Sequence, residues 1–114
     1  MKVIELTELL GLKIISGTGN LEREVSGGYV SDLLSDVIGN SAENMAWVTI
    51  QTHPNIVAVA SLKDLSAIII ARGLHPDEET VRLSEKEQVP LLGTDRSSFE
   101  IAGLLYNLLN RPEC

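Results

Sequence analysis

The segments Ala46-Trp47-Val48-Thr49-Ile50 and Leu65-Ser66-Ala67-Ile68-Ile69-Ile70 decide the fold of this chain. The first is typical of a strand, and the second is an uninterrupted apolar run of the kind found in strands buried on both faces. Between them, a helical segment from Asn55 to Leu62 follows Thr52-His53-Pro54, because a proline is well tolerated in the first turn of a helix. Strand, helix and strand in this order predict a βαβ unit with parallel strands.

The alternation extends toward the amino terminus. Apolar residues from Ile4 to Leu10 share one helical face, and Gly11 follows at the position where a left-handed residue commonly ends a helix. Further elements are a strand over residues 12–15, a loop over 16–20, a strand over 28–31 and a helical turn over 32–38. Gly39-Asn40 is predicted to stop that turn.

The same alternation extends toward the carboxyl terminus. Pro76-Asp77-Glu78-Glu79 predicts the start of a helix that ends near Lys86, because proline and acids both favour the first turn. Residues 89–92 form a short strand. Ser97 and Glu100 match a capping box for a helix over residues 98–109, whose apolar stripe comprises Ile101, Leu104, Leu105, Leu108 and Leu109. We therefore expect one small α/β domain over residues 1–114, with a mainly parallel sheet of four to five strands flanked by helices.

Charge and composition argue against several classes of protein. Nine basic and sixteen acidic residues among 114 give a net charge of −7, which disfavours nucleic acid as a partner. No apolar run reaches the roughly 18 residues of a membrane span, and the early acid Glu5 argues against a signal peptide. The single cysteine, Cys114, predicts a free thiol on a mobile terminus in a reducing setting. We expect a cytoplasmic protein that has no membrane partner.

The sequence predicts neither a metal site nor a bound cofactor. His53 and His75 are the only histidines, and they lack the spacing of zinc ligands. Gly17-Thr18-Gly19 lacks the lysine of a phosphate-binding loop, and Ser97-Ser98 lacks the Gly-x-Ser-x-Gly pattern of a hydrolase nucleophile. We therefore expect no catalysis by this chain alone.

Polar residues follow three of the predicted strands. In a parallel sheet, ligands bind beyond the carboxyl ends of the strands, where loops meet helix amino termini. If the strands are neighbours, one edge offers hydroxyls, an imidazole, a guanidinium and free helix amides to a small anion or nucleotide. The residues concerned are Thr52, His53, Arg72, Thr94, Asp95, Ser97 and Ser98. The alternative is structural, because Thr52 and Ser97 are good helix N-caps and Arg72 can pair with a surface acid.

Gly27, Gly28 and Asp32 form a further candidate site with two interpretations each. The glycines allow a ligand or a second subunit to approach the backbone closely, but a bulge or pivot before a strand explains them better. Asp32 either accepts a hydrogen bond from a ligand or caps the helical turn that follows it, and capping is favoured.

Two stretches of the chain, Gly27-Gly28-Tyr29-Val30-Ser31-Asp32-Leu33-Leu34-Ser35 and Val89-Pro90-Leu91-Leu92-Gly93-Thr94, resemble the DRTGG domain. With Ser97-Ser98-Phe99, the second stretch is also distantly similar to the noncatalytic amino-terminal domain of HPr kinase/phosphorylase. The family takes its name from residues scattered along the domain. Asp32 and Thr94 resemble the aspartate and threonine of that name, and Gly27-Gly28 resemble its glycines. Three residues, Arg23, Arg72 and Arg96, are candidates for the arginine of the name.

This resemblance implies regulation and self-association, with no agreed ligand. In multidomain relatives the module accompanies CBS domains that sense adenine nucleotides, or enzymes of amino-acid synthesis and acetyl transfer. The first hypothesis is therefore a stand-alone regulatory module that forms a homodimer and modulates a separate partner protein. The second is an adenine-nucleotide or small-anion binding protein that uses Thr52, Arg72, Thr94 and Ser97. The third is a small enzyme that acts on a phosphorylated metabolite at the same loops, with Asp95 or His53 as its catalytic group.

Overall fold

The computed structural model describes residues 1–110, so the predicted free thiol of Cys114 lies outside the described residues. Helices and strands alternate along almost the whole of this range. In chain order they are α1 (Val3–Leu10), β1 (Lys13–Ser16), β2 (Gly27–Val30), α2 (Leu34–Asn40), β3 (Met45–Thr49), α3 (Asn55–Leu62), β4 (Ala67–Ile70), α4 (Glu78–Glu87), β5 (Leu91–Gly93) and α5 (Ser98–Asn110). A short 3-10 helix, Thr18–Asn20, lies between β1 and β2.

The five strands form one sheet in the order β1-β5-β4-β3-β2. Strands β2 to β5 are parallel, with Trp47 of β3 level with Ile68 of β4, and Ile68 level with Leu91 of β5. Strand β1 is antiparallel to β5, and its register shifts between Ile14 and Ser16. The predicted fold class, a small α/β domain with a mainly parallel sheet, is confirmed.

The sheet has an apolar layer on each face. Trp47, Ile68 and Ile70 pack with helices α2, α3 and α4 on one face. Val48 and Ile69 point to the other face, where they pack with α1 and α5. This alternation follows from the two-residue period of a strand. Because both faces are covered, β4 is apolar at every position and β3 at every position except Thr49.

Several helix boundaries differ from those predicted. Helix α3 spans Asn55–Leu62 as expected, but α4 begins at Glu78 with Asp77 in the N-cap position. Helix α2 ends at Asn40, within the predicted stop Gly39-Asn40, but both residues are still helical and the Ser41 amide donates to the Val37 carbonyl, 3.0 Å away. Gly11 ends α1 in the left-handed conformation, with φ of 65°.

Gly27 and Gly28 form neither a bulge nor a pivot. They lie inside β2, in regular parallel register with Met45 and Ala46 of β3. Helix α5 supplies the reason for the second glycine, since a Cβ at Gly28 would lie 2.9 Å from the Leu105 side chain. The prediction of a bulge is therefore wrong, and Gly28 allows α5 to pack close to the edge strand.

Helix α5 buries less of its apolar stripe than predicted. Ile101 and Leu105 are buried against the sheet, whereas Leu104 is 39% exposed. Phe99 and Tyr106, on the same helix, are 88% and 69% exposed. Among the helices of residues 1–110, none is both long enough and apolar enough to cross a bilayer.

Candidate ligand cleft and apolar groove

The carboxyl ends of β2 to β5 meet at one edge of the sheet, as expected for neighbouring parallel strands. Two backbone hydrogen bonds tie the loop after β4 to the loop after β5. The Arg72 amide donates to the Arg96 carbonyl and the Gly73 amide to the Thr94 carbonyl, both at 2.8 Å. Arg72 itself is exposed and left-handed, with φ of 64°.

Thr52 and His53 are engaged in contacts within the chain. The Thr52 carbonyl accepts hydrogen bonds from the Asp77 amide and the Thr80 hydroxyl at the start of α4. Within residues 1–110, α3 has no side-chain cap at its N-cap residue Pro54. Instead, His53 Nδ1 accepts a bond from the Asn55 amide at 3.3 Å. The prediction that Thr52 is the N-cap of α3 is therefore wrong, and the Asn55 amide is not free for a ligand.

Ser97 forms the predicted capping box at the start of α5. The Glu100 amide donates to Ser97 Oγ at 3.2 Å, and Glu100 Oε1 accepts bonds from the Ser97 amide and hydroxyl. Ser98 is the first residue of the helix. These hydrogen bonds confirm the structural interpretation of Ser97 as a capping residue. An anion at this helix end would also face the Glu100 carboxylate.

Asp32 joins the ends of two strands. Its Oδ1 accepts hydrogen bonds from the Thr49 hydroxyl and the Ile50 amide, both at 2.8 Å, at the end of β3. Leu33 occupies the N-cap position of α2, and none of the side chains described in the structure caps this helix. The prediction that Asp32 caps this helix is wrong, because the parallel register of β2 and β3 places their ends side by side.

A second carboxylate, Asp36, joins α2 to β2. Hydrogen bonds from the Ser31 and Tyr29 hydroxyls lower the pKa of Asp36 below its usual value. The Tyr29 hydroxyl donates to Asp36 Oδ2 at 2.9 Å, and this hydrogen bond raises the pKa of Tyr29. Both shifts favour an ionised Asp36 bound to a protonated Tyr29, which holds the helix against the edge strand.

A cleft of about 650 Å³ lies beside the loops that follow β4 and β5. Its walls are the start of β1, these two loops and one side of α4. The residues that line it are Gly11, Lys13, Ile15, Gly73, Leu74, His75, Pro76, Val81, Gly93, Thr94, Asp95 and Arg96. Of the ten predicted site residues, Thr94 and Asp95 line this cleft. Asp32, Thr52, His53, Arg72, Ser97 and Ser98 do not line it.

The basic side chains of the cleft were not among the predicted site residues. Lys13 is at the start of β1, which lies beside the end of β5 because these strands are antiparallel. His75 and Arg96 come from the loops after β4 and β5. Arg96 belongs to one of the three loops that were predicted to form the site. For Lys13, the neighbouring sequence contains no feature that predicts a place in it. Only the strand order brings Lys13 to this edge.

A second cavity, of about 420 Å³, is an apolar groove between β2 and α5. It is lined by Gly27 and Gly28 of the predicted site and by Ser26, Val30, Phe99, Ala102, Gly103, Leu105, Tyr106, Leu109 and Asn110. Each of these described residues is uncharged. Among the strands that the structure describes, β2 is an edge strand whose one partner is β3. We refer to this surface as the β2–α5 groove.

No cluster of metal ligands accompanies either cavity. Across residues 1–110, no three His, Cys, Asp or Glu side chains are grouped so that they could hold a metal ion.

Comparisons with known proteins identify the family. The family model of the DRTGG domain matches residues 5–108. Among curated proteins, no match is found. A crystal structure of the CBS and DRTGG domains of the regulatory region of Clostridium perfringens pyrophosphatase, complexed with the activator diadenosine tetraphosphate, has the same fold. Its TM-score is 0.70 at 16% identity, and the match covers 91% of this chain but only 45% of that chain. Since the family model spans most of its residues, this chain belongs to the DRTGG domain family.

Proposed function

We propose that this chain is a regulatory module that forms a homodimer through the β2–α5 groove and modulates a partner protein. The observation that carries the proposal is the exposed apolar surface of that groove. Phe99, Tyr106 and Val30 are 88%, 69% and 49% exposed, and all three line it. The similarity to a DRTGG domain in the regulatory region of a pyrophosphatase supports the regulatory part.

Charge favours a second copy of the chain as the occupant of the groove. Two copies with a net charge of −7 each repel one another over most of their surfaces. The β2–α5 groove is uncharged, so its approach to a second groove brings no like charges together. A twofold interface uses the same patch on both copies, and the aromatic side chains of each helix can fill the groove of the other. The proposal assigns no catalytic role to the chain.

Sedimentation velocity at micromolar concentration tests this self-association. We expect the unmodified protein to sediment as a dimer, and Phe99→Glu to weaken dimerisation at least about 100-fold, since buried aromatic anchors dominate interfaces. Leu62→Glu is the matched control, because Leu62 is 70% exposed on α3, outside the groove, and the charge change is the same. A monomeric wild type would refute the dimer. Dissociation by Leu62→Glu as well would refute its location.

A second candidate function is the binding of a small anion or adenine nucleotide at the carboxyl-end edge of the sheet. The cleft there lies within the size range of small-molecule sites, about 300–1,000 Å³. The similar pyrophosphatase region was crystallised with diadenosine tetraphosphate, which makes adenine nucleotides the first compounds to test.

Thermal unfolding in the presence of candidate ligands tests the second function. Adenosine, AMP, ADP, ATP and inorganic phosphate are each added at rising concentration. A ligand that binds only the folded chain stabilises it by about 2.7 kcal/mol at one hundred times its Kd, which corresponds to a rise in Tm of roughly 10 °C. An unchanged Tm with all five compounds at millimolar concentration would exclude this function and leave the dimer untouched.

A further inference from the structure

We propose that the cleft beside β1 and β5 is a site for a nucleoside phosphate with a short phosphate chain. In this assignment Lys13, His75 and Arg96 bind the phosphate, and Ile15, Leu74 and Val81 form the apolar wall for the base. The inference rests on the second candidate function above, which it narrows to one site and one class of ligand.

The first argument is charge. The lining of the cleft contains two cations, Lys13 and Arg96, against one carboxylate, Asp95, although the whole chain carries −7. Within the described residues, Lys13 is exposed and takes part in no ion pair, whereas Lys2 and Arg23 each pair with an acid. The lining itself therefore has a surplus of one positive charge, although the protein as a whole is acidic.

Arg96 retains donors for a ligand. One of its guanidinium nitrogens donates to the Leu10 carbonyl at 3.0 Å, at the end of α1. A guanidinium has five N–H donors in a planar fork that matches phosphate oxygens. The bond to Leu10 fixes the side chain at the cleft and leaves other donors for phosphate. His75 adds a ring N–H on the loop after β4.

The rim of the cleft is held in place before any ligand arrives. The Gly73 amide is bound to the Thr94 carbonyl at 2.8 Å, and the Arg96 amide donates to Thr94 Oγ1 at 3.3 Å. Gly73 is left-handed, with φ of 67°, and a Cβ there would lie 2.8 Å from Asp95 Oδ1. A site that is already ordered loses less entropy on binding.

Neighbouring acids limit the length of the phosphate chain. Pro76, which lines the cleft, is followed directly by Asp77 at the N-cap of α4 and by Glu78 and Glu79 in its first turn. A phosphate chain that extended toward α4 would meet these like charges, whereas one or two phosphates can remain beside Lys13 and Arg96. We therefore expect AMP and ADP to bind more tightly than ATP.

Titration of the full chain with AMP, followed by NMR of the backbone amides, locates the site and measures the affinity. The amides of Gly73, Thr94 and Asp95 are expected to shift on binding. Lys13→Glu is expected to raise the Kd for AMP about tenfold or more, since it removes a charge-assisted hydrogen bond. Lys86→Glu, an equal charge change on an exposed residue of α4 outside the cleft, is expected to change the Kd less than twofold. Adenosine is expected to bind more weakly than AMP.

The outcomes separate the inference from the function on which it rests. AMP that binds but shifts only the amides near Thr52 or in α5 would overturn this site while leaving nucleotide binding intact. An equal loss of affinity in the Lys13 and Lys86 variants would likewise overturn it. Binding of ATP tighter than ADP would overturn the short-chain assignment. If neither AMP nor ADP binds, the inference fails. The second candidate function fails with it only if adenosine, ATP and inorganic phosphate also leave the Tm unchanged, and self-association is unaffected in either case.

Discussion

Replacement of Trp47 by alanine is expected to lower the free energy of unfolding by about 4 kcal/mol, because truncation of a buried aromatic side chain leaves a large cavity. Trp47 is in the interior strand β3, is 0% exposed and packs with residues of α2 and α3. Its indole Nε1 donates to the Ser31 carbonyl at 2.8 Å, so the substitution also leaves that carbonyl without this donor. Domains of this size have only about 5–15 kcal/mol of stability in total.

Urea unfolding followed by circular dichroism measures this loss. Trp47→Phe is the matched control, because phenylalanine keeps most of the buried apolar area and loses only the hydrogen bond to Ser31 and part of the ring. We expect that control to cost about 2 kcal/mol. An alanine variant that lost less than about 1 kcal/mol would contradict the packing of Trp47 between the sheet and helices α2 and α3.

Replacement of Gly17 by alanine is expected to cost at least about 3 kcal/mol, because backbone conformation and close approach both oppose a side chain there. Gly17 has φ of 76°, and a Cβ would lie 2.1 Å from the Val89 carbonyl oxygen and 2.7 Å from Pro90 Cα. Both are backbone atoms just before β5, which cannot move without disturbing the sheet. The Gly17 amide also donates to Glu85 Oε1 at 2.7 Å.

Gly11→Ala separates the two causes of this loss. Gly11 has a similar φ of 65°, but no neighbouring atom of the described part of the chain lies within 4 Å of the position of its Cβ. We expect this variant to lose only about 1 kcal/mol, the cost of the left-handed conformation. The fluorescence of the single tryptophan, which is buried in the folded chain, reports unfolding in both variants. Equal losses of unfolding free energy at the two positions would show that the backbone before β5 can move to accommodate the added methyl group.

The elements of the fold were predictable from local patterns, because each depends on residues close in sequence. The boundaries of α3 and the Ser97–Glu100 capping box follow from proline placement, apolar periodicity and cap chemistry. Gly27-Gly28 was misassigned because its cause is not local. Leu105, far along the chain in α5, sets the space available at Gly28.

The candidate cleft was predictable only in part, for the same reason. Thr94 and Asp95 follow a strand directly, so the general rule for parallel sheets identifies them. Lys13 comes before a strand and reaches the same edge only because β1 runs antiparallel to β5. Asp32 looked like a cap because its partners, Thr49 and Ile50, become its neighbours only when β2 and β3 align.

The two borders of the sheet differ in a way that limits the size of any assembly. On the β1 border, the irregular register between Ile14 and Ser16 and the exposed Lys13 both discourage addition of another strand. The β2 border is regular in register and uncharged from Gly27 to Val30. If two copies associate through their β2 borders, as in the proposed homodimer, only the two β1 borders stay open. We therefore expect growth to stop at two copies, without the fibres that two open borders would permit.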